Sequence, residues 1–272
     1  TVKARGLQSI GTVGKLYHNA KGEIKFTIDG DLKQITKFPH RKDDDKTGAV
    51  VIYEAPYKNE KQQVPMNMYV LCHDPYGQNQ SADSTSLGAA YVVKRPNNLS
   101  QPDDIIVASY VGRPKTQDDY NRNLFLLADY YGCKIGFEND RGEVIAYAKR
   151  YRKLHKLQEE FEMLDKKELR SKTVKRQYGM HMTEARKRQG EIYIRDWLNT
   201  VRRTDEDGNK LLNLHKIYDL AFLTELIKFN HHGNFDRVMA FMIAMYHTRE
   251  LYNVEVKDIL EDRATDKWFD KN

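Results

Sequence analysis

An α/β fold, a mixed sheet flanked by helices, is predicted for this 272-residue chain by three observations. Met66–His73 is a near-continuous apolar run, the pattern of a strand buried on both faces. Two further strand-like runs follow at short intervals, up to Val111. Apolar residues then recur at helical spacing from Thr116 onward, and helical patterning dominates the rest of the chain. A chain of this length suits one large domain or two small ones and can bury a real core.

The expected organisation is an N-terminal segment with short strands (1–65), a main domain (66–255) and a charged C-terminal tail (256–272). The first segment is rich in Gly, Lys and Asp. Glu23-Ile-Lys-Phe-Thr-Ile28 alternates as a strand does, and Gly30 and Asp43-Asp44-Asp45 mark turns. Gly48–Glu54 reads as a further strand, closed by Pro56.

In the main domain, a polar loop (75–84) separates the first strand from a second at 85–93. Asn97–Pro102 turns the chain into a third strand at 104–111, and connections this short predict an antiparallel meander. Thr116 is placed to cap a helix, with Asp119 three residues on as its capping-box partner. The helix has an apolar stripe of Tyr120, Leu124, Leu127, Ala128 and Tyr131, and Gly132 ends it. Cys133–Phe137 is then a fourth, short, buried strand. A helical crossover predicts that the third and fourth strands are parallel neighbours.

Val144–Leu164 reads as helix, broken or continuous, and Leu169–Met180 is ambiguous and admits a short strand. Thr183–Val201, Leu214–Phe229 and Phe235–Leu251 read as helices, with a turn at Asp205–Asn209. The tail is expected to fray or to cross back over the surface.

Composition narrows the function. The net charge is +6, which permits a polyanionic partner. Lys and Arg are concentrated between Lys149 and Arg203, with Tyr147, Tyr151 and Tyr178 interleaved. Solvated surface and contact with a phosphate backbone both explain such a run. On the second reading, Lys149, Arg150, Arg152, Lys153, Lys172, Lys175 and Arg176 are the DNA-binding candidates. No run of about 18 apolar residues exists, so no membrane span is expected. Cys72 and Cys133 lie in apolar runs and read as buried free thiols of a reducing compartment. The start, Thr1-Val-Lys-Ala-Arg, resembles neither a signal peptide nor a natural beginning, and reads as a cut from something longer.

Three acids carry the chemistry. Asp74 ends the first strand, Glu138 follows the fourth, and Asp236 lies in the first turn of a strongly apolar helix. Singly, each has a plain structural explanation: a turn before Pro75, a polar strand exit, and a helix cap. Jointly, strand-strand-strand-helix-strand-helix with acids at these places is the ribonuclease-H-like arrangement. It sets the first strand centrally with the fourth beside it, and brings Asp74 and Glu138 within a few ångströms. Three carboxylates this close repel one another unless a cation sits among them. Oxygen-only ligands suit Mg²⁺ or Mn²⁺, and two such ions support in-line phosphodiester hydrolysis. Asp83 is a candidate fourth ligand or a turn cap, and His231-His232 is a weaker metal candidate.

These residues give the chain a resemblance to the C-terminal nuclease domain of the large terminase subunit of tailed bacteriophages. It is carried by Gly48–Pro56, Tyr69–Gly77, Gly136–Asn139, Gly233–Ala240, Ile217-Tyr-Asp219 and Leu223–Leu226, over roughly residues 48–250. The resemblance implies a ribonuclease-H-like fold and cleavage of double-stranded DNA concatemers during genome packaging. It implies Asp74, Glu138 and Asp236 as the ligands of two Mg²⁺ or Mn²⁺ ions, and puts Asp83 where some members have an auxiliary acid. It also implies an ATPase motor domain, a portal and a small terminase subunit as partners, in the cytoplasm of an infected bacterium. Two features depart from the pattern. His73 stands before Asp74, where an apolar or small residue is usual. There is also no phosphate-binding Gly-x-x-x-x-Gly-Lys-Ser/Thr loop, and Gly11-Thr-Val-Gly14-Lys15 is too short to be one. The alternatives are another ribonuclease-H-like enzyme, such as a resolvase or transposase, and a DNA clamp or portal-docking module with weak cutting.

Overall fold

The computed structural model describes residues 11–41, 43–76, 86–95, 104–140, 142–161, 178–230 and 233–269. Three strands precede the main domain: β1 (Thr12–His18), β2 (Ile24–Ile28) and β3 (Ala49–Ile52). β4 (Tyr69–Asp74), β5 (Gly88–Lys94) and β6 (Ile106–Gly112) follow, then α1 (Gln117–Tyr130), β7 (Ile135–Phe137) and α2 (Glu143–Arg150). The remainder is α3 (Glu184–Asn199), a hairpin of β8 (Val201–Thr204) and β9 (Lys210–Leu212), α4 (Leu220–Lys228) and α5 (Asp236–Phe269).

The main sheet has seven strands in the order β2-β1-β3-β6-β5-β4-β7. Every pairing is antiparallel except β4 with β7, so the sheet is mixed and compatible with a ribonuclease-H-like fold. The expected meander is present as β4-β5-β6. The strands of residues 1–65 extend the same sheet, because β3 pairs with β6 and β1 with β3.

β4, β5 and β6 are buried on both faces, which explains their unbroken apolar sequence. One face carries Leu71, Ala90 and Val92 and packs against α1 and α2 through Tyr120, Leu124, Leu127, Val144 and Ala148. The other carries Val70, Cys72, Ala89 and Tyr91 and packs against α5, with Ile194, Trp197 and Phe222 from α3 and α4 closing the layer. Period-two alternation thus assigns each strand side chain to one of two helical layers.

Helix boundaries follow local chemistry. Thr116 caps α1 as predicted, its Oγ1 accepting from the Asp119 backbone N–H; the Asp119 carboxylate bonds the Thr116 hydroxyl instead of the Thr116 N–H that a capping box would use. Gly132, at φ +62°, takes the left-handed conformation that ends α1.

The sequence reading needs several corrections. The third and fourth predicted strands, β6 and β7, are not neighbours: α1 carries the chain past β5 and β4, and β7 pairs with β4 at the sheet edge. The helix expected over 144–164 stops at Arg150, because Arg152 adopts φ +56°, and a short 3₁₀ turn, Leu154–Lys156, follows. The helix expected from Leu214 begins at Leu220, where Asp219 caps it through the Ala221 and Phe222 N–H groups. The last helix runs beyond Leu251 to Phe269, through most of the segment read as a tail.

Candidate metal centre

The β4–β7 register places the first two acids. Leu71, Cys72 and His73 pair with Ile135, Gly136 and Phe137. The Glu138 N–H then donates to His73 O at 3.3 Å, so the next step sets Asp74 beside Glu138. Cys72 and Gly136 look toward α5: a Cβ added to Gly136 would lie 3.0 Å from Cys72 Sγ and 3.7 Å from Ile243. Alternation then turns Asp74 and Glu138, two residues further on, to the same α5 side. Glu138 is hydrogen-bonded with Asp74. Burial, with the Asp140 carboxylate beside it, pushes the Glu138 carboxyl up to about 7, against opposing contributions from Asp74 and Lys187.

Asp236 is the first residue of α5 and only 6 % exposed. Its Oδ2 accepts from the Leu87 N–H at 2.9 Å and from Asn234 Nδ2 at 3.2 Å, and its Oδ1 from Ser86 Oγ at 3.3 Å. Leu87 lies two residues before Ala89, the partner of Asp74 across β4–β5, so Asp236 is tied to the same end of the sheet. Burial pushes Asp236 up to about 6, opposed first by the Leu87 N–H and then by Arg237. The charges of Asp74 and Asp236 both help burial to raise the Tyr120 phenol, which marks their shared neighbourhood. The helix-cap explanation of Asp236 does not describe this arrangement, because its oxygens serve Leu87, Ser86 and Asn234 rather than its own helix.

His73, the departure in the motif, behaves as a neutral core residue. It is fully buried, its Nδ1 lies 3.2 Å from Ala89 O and 3.3 Å from Tyr120 Oη, and burial lowers it to about 3. The uncharged imidazole packs on the Tyr120 ring, which in turn packs on Tyr76 and Tyr110, much as an apolar side chain would. The Gly11–Lys15 run contributes to β1 rather than to a phosphate loop.

The donor chemistry suits a hard divalent cation: oxygens only, with Asp74 and Glu138 in contact and Glu138 pushed toward its neutral form by burial and by the Asp140 charge. Among the described residues, however, no group of three or more His, Cys, Asp or Glu side chains is arranged to hold a metal ion. The fit is therefore that of a carboxylate pair, with Asp236 held a short way off by Leu87 and Ser86. Asp83, His231 and His232 lie outside the described residues.

Residues without a strand-end signature also gather at this edge. The extended segment around Met180 runs beside the end of β7, bonded through Met180 N to Phe137 O and Asn139 N to Met180 O, both at 2.8 Å. It sets His181 Nδ1 against the Asp140 carboxylate. Arg186 Nη1 donates to His181 O at 2.6 Å, and Lys187 is close enough to act on Glu138. Sequence reading grouped Arg186 and Lys187 with a generic basic run. Only the fold of 178–187 brings them to the acids.

The DNA-binding candidates that the structure describes, Lys149, Arg150, Arg152 and Lys153, stand elsewhere. Lys149 and Arg150 end α2, which packs with α1 on the opposite face of the sheet from α5. Arg150 bonds Asp118 at 2.5 Å and Lys153 bonds Asp129 at 3.2 Å, while Lys149 and Arg152 are exposed. Lys172, Lys175 and Arg176 lie outside the described residues. Cys72 and Cys133 are both free and buried. No helix among the described residues is long and apolar enough to cross a membrane. Compared with known proteins, the chain matches no family model and no curated sequence.

Proposed function

We propose that the chain is a metal-dependent endonuclease that cuts double-stranded DNA, acting at the sheet edge that carries Asp74, Glu138 and Asp236. The observation that carries this reading is the side-by-side placement of Asp74 and Glu138 on the parallel β4–β7 pair, with Glu138 raised to about 7. Carboxylates so crowded gain from a cation between them. Asp74 and Glu138 would hold Mg²⁺ or Mn²⁺, and Asp236 would complete the set by a change of its side-chain rotamer. Two bound divalent ions supply an activated water for attack on phosphorus and charge stabilisation at the departing oxygen.

The chain's own residues supply the rest. Leu87 N–H and Ser86 Oγ fix the Asp236 carboxylate at the strand end. Lys187 and Arg186 stand on the rim, where a DNA phosphate would arrive. The likeness to phage terminase nuclease domains supports packaging-linked cleavage of DNA concatemers in an infected bacterium, next to a motor domain, a portal and a small subunit. That part of the proposal rests on the sequence motifs alone.

The missing ready-made three-residue ligand set among the described residues favours a second reading, a DNA clamp with weak cutting. Incubation with supercoiled plasmid and Mn²⁺ separates the two. The nuclease reading expects linear or degraded DNA from the parent chain and intact plasmid with Asp74→Ala and Asp236→Ala. DNA binding by the parent chain without cutting would select the clamp.

A further inference from the structure

The first turn of α5 divides its work in an unusual way. An aspartate beginning a helix commonly turns its carboxylate onto the helix's own N–H groups. Asp236 instead reaches across to Leu87 N–H at 2.9 Å and Ser86 Oγ at 3.3 Å. The N–H groups of Arg237 and Val238 are taken by Glu225 Oε2 from α4, at 3.0 and 3.4 Å. Glu225 Oε1 in turn accepts from Arg237 Nη1 at 2.8 Å.

Arg237 locks this arrangement to two more parts of the chain. Its Nη2 donates to Ile35 O at 2.8 Å, and its Nε lies 3.5 Å from Asp219 Oδ2, which also accepts from Tyr91 Oη at 2.6 Å. Glu225 and Arg237 are each 1 % exposed. A buried ion network like this contributes little stability beyond what well-packed apolar side chains would give. What it adds here is a single placement for the start of α5, tied to α4, to β5 and to the segment around Ile35.

We propose that Glu225, braced by Arg237, is a positioning residue: it caps α5 in place of Asp236 and so leaves the Asp236 carboxylate available to the strand edge that bears Asp74 and Glu138. The inference rests on the reading of that edge as a divalent-cation site, and it deepens that reading by naming what aims the third acid.

Two measurements on the full chain test it. The first is the amide resonance of Leu87 in the metal-free chain, which reports the bond from Leu87 N–H to Asp236. The second is Mn²⁺ affinity by calorimetry. Glu225→Ala is expected to shift the Leu87 amide toward its position in Asp236→Asn and to weaken Mn²⁺ by about 10- to 100-fold, the range for residues that orient a ligand. Glu225→Gln keeps a carbonyl oxygen for the two N–H groups and is expected to stay near the parent chain on both counts. The double variant Glu225→Leu/Arg237→Met removes the Glu225–Arg237 pair at similar volume and leaves Asp219 held by Tyr91 Oη and the Ala221 and Phe222 N–H groups, which guards against failure to fold. It is expected to fold and still show the Leu87 shift and the weakened Mn²⁺. A folded double variant with parental Leu87 and parental affinity overturns the positioning role. If the parent chain binds no Mn²⁺, the functional reading fails, and the Leu87 amide alone decides whether Glu225 positions Asp236.

Discussion

Asp236 and Arg237 are sequence neighbours placed in opposite electrostatic settings. On the Arg237 side, Asp219 and Glu225 share one guanidinium: Glu225 is hydrogen-bonded to it, while Asp219, held by Tyr91, faces Arg237 Nε as an ion pair at 3.5 Å. Burial alone would lower Arg237, but Asp219, Tyr91 and Glu225 outweigh it and hold it charged. Burial pushes Glu225 up to about 7, yet Arg237 pulls the other way at bonding distance. On the Asp236 side, Asp74, Glu138 and Asp140 crowd together, and the cation acting on Glu138 is Lys187 from the rim. Two clusters of acids therefore differ in one respect. One contains its counter-ion and is finished as it stands. In the other, burial raises Glu138 and Asp236 despite the charges of Lys187 and Arg237, and a divalent ion would add positive charge there.

The comparison breaks most sharply in catalysis. Asp74→Ala and Asp236→Ala are expected to lower Mn²⁺-dependent plasmid cleavage by roughly a thousandfold or more, since transition-state charge stabilisation by a held metal is worth several kcal/mol. Asp74→Ala should lower thermal stability little, whereas Asp236→Ala leaves the buried Leu87 N–H without its acceptor and is expected to cost about 1–3 kcal/mol. Arg237→Met should lower stability more. It leaves Asp219 and Glu225 buried without their cation and is expected to cost about 3–5 kcal/mol in chemical denaturation.

The acidic edge should also be sensitive to pH. Glu138 is raised in the folded state from 4.5 to about 7, so the folded chain holds a proton that the unfolded chain has released across that window. Stability of the metal-free protein therefore falls as pH rises from about 4.5 to about 7. Glu138→Gln removes the penalty: it is expected to stabilise the metal-free protein by about 2 kcal/mol above pH 7 and to have little effect below about pH 4.5. Thermal unfolding at several pH values, with chelator, checks the sign. Added Mn²⁺ should reverse the ranking by binding the parent chain better.

The smallest effect concerns the basic residues. Lys187→Ala, at the acidic edge, is expected to weaken DNA binding and reduce the slope of log affinity against log salt by about one. Arg150→Ala, whose guanidinium is already bonded to Asp118, should change that slope less. Fluorescence anisotropy across a salt series distinguishes the two positions.

Much of this was legible in the sequence because the signals are local. The apolar run ending at His73, the Thr116 cap and Gly132 each fix an element by themselves, and the structure has all of them. The position of β7 was not legible. The length and period of α1 predict a parallel return but not how many strands the crossover passes, and here it passes two to reach the sheet edge. The break after α2 depends on one residue, Arg152, taking a left-handed conformation that no sequence pattern demands. At the candidate site, Asp74, Glu138 and Asp236 announce themselves at the ends of apolar elements. His181, Asp140 and Lys187 do not, because a bridge between Glu138 and Met180, distant in sequence, brings them together. Glu225 looks like any polar residue of an amphipathic helix, and only its bonds to the start of α5 reveal what it does.

The most direct measurement is a crystal of the parent chain soaked in Mn²⁺ and examined by anomalous scattering. The account predicts a peak bound by both Asp74 and Glu138 at about 2.0–2.2 Å, with the Asp236 carboxylate turned toward it and a second ion roughly 4 Å away. A crystal saturated with Mn²⁺ that shows no peak between Asp74 and Glu138 would contradict it.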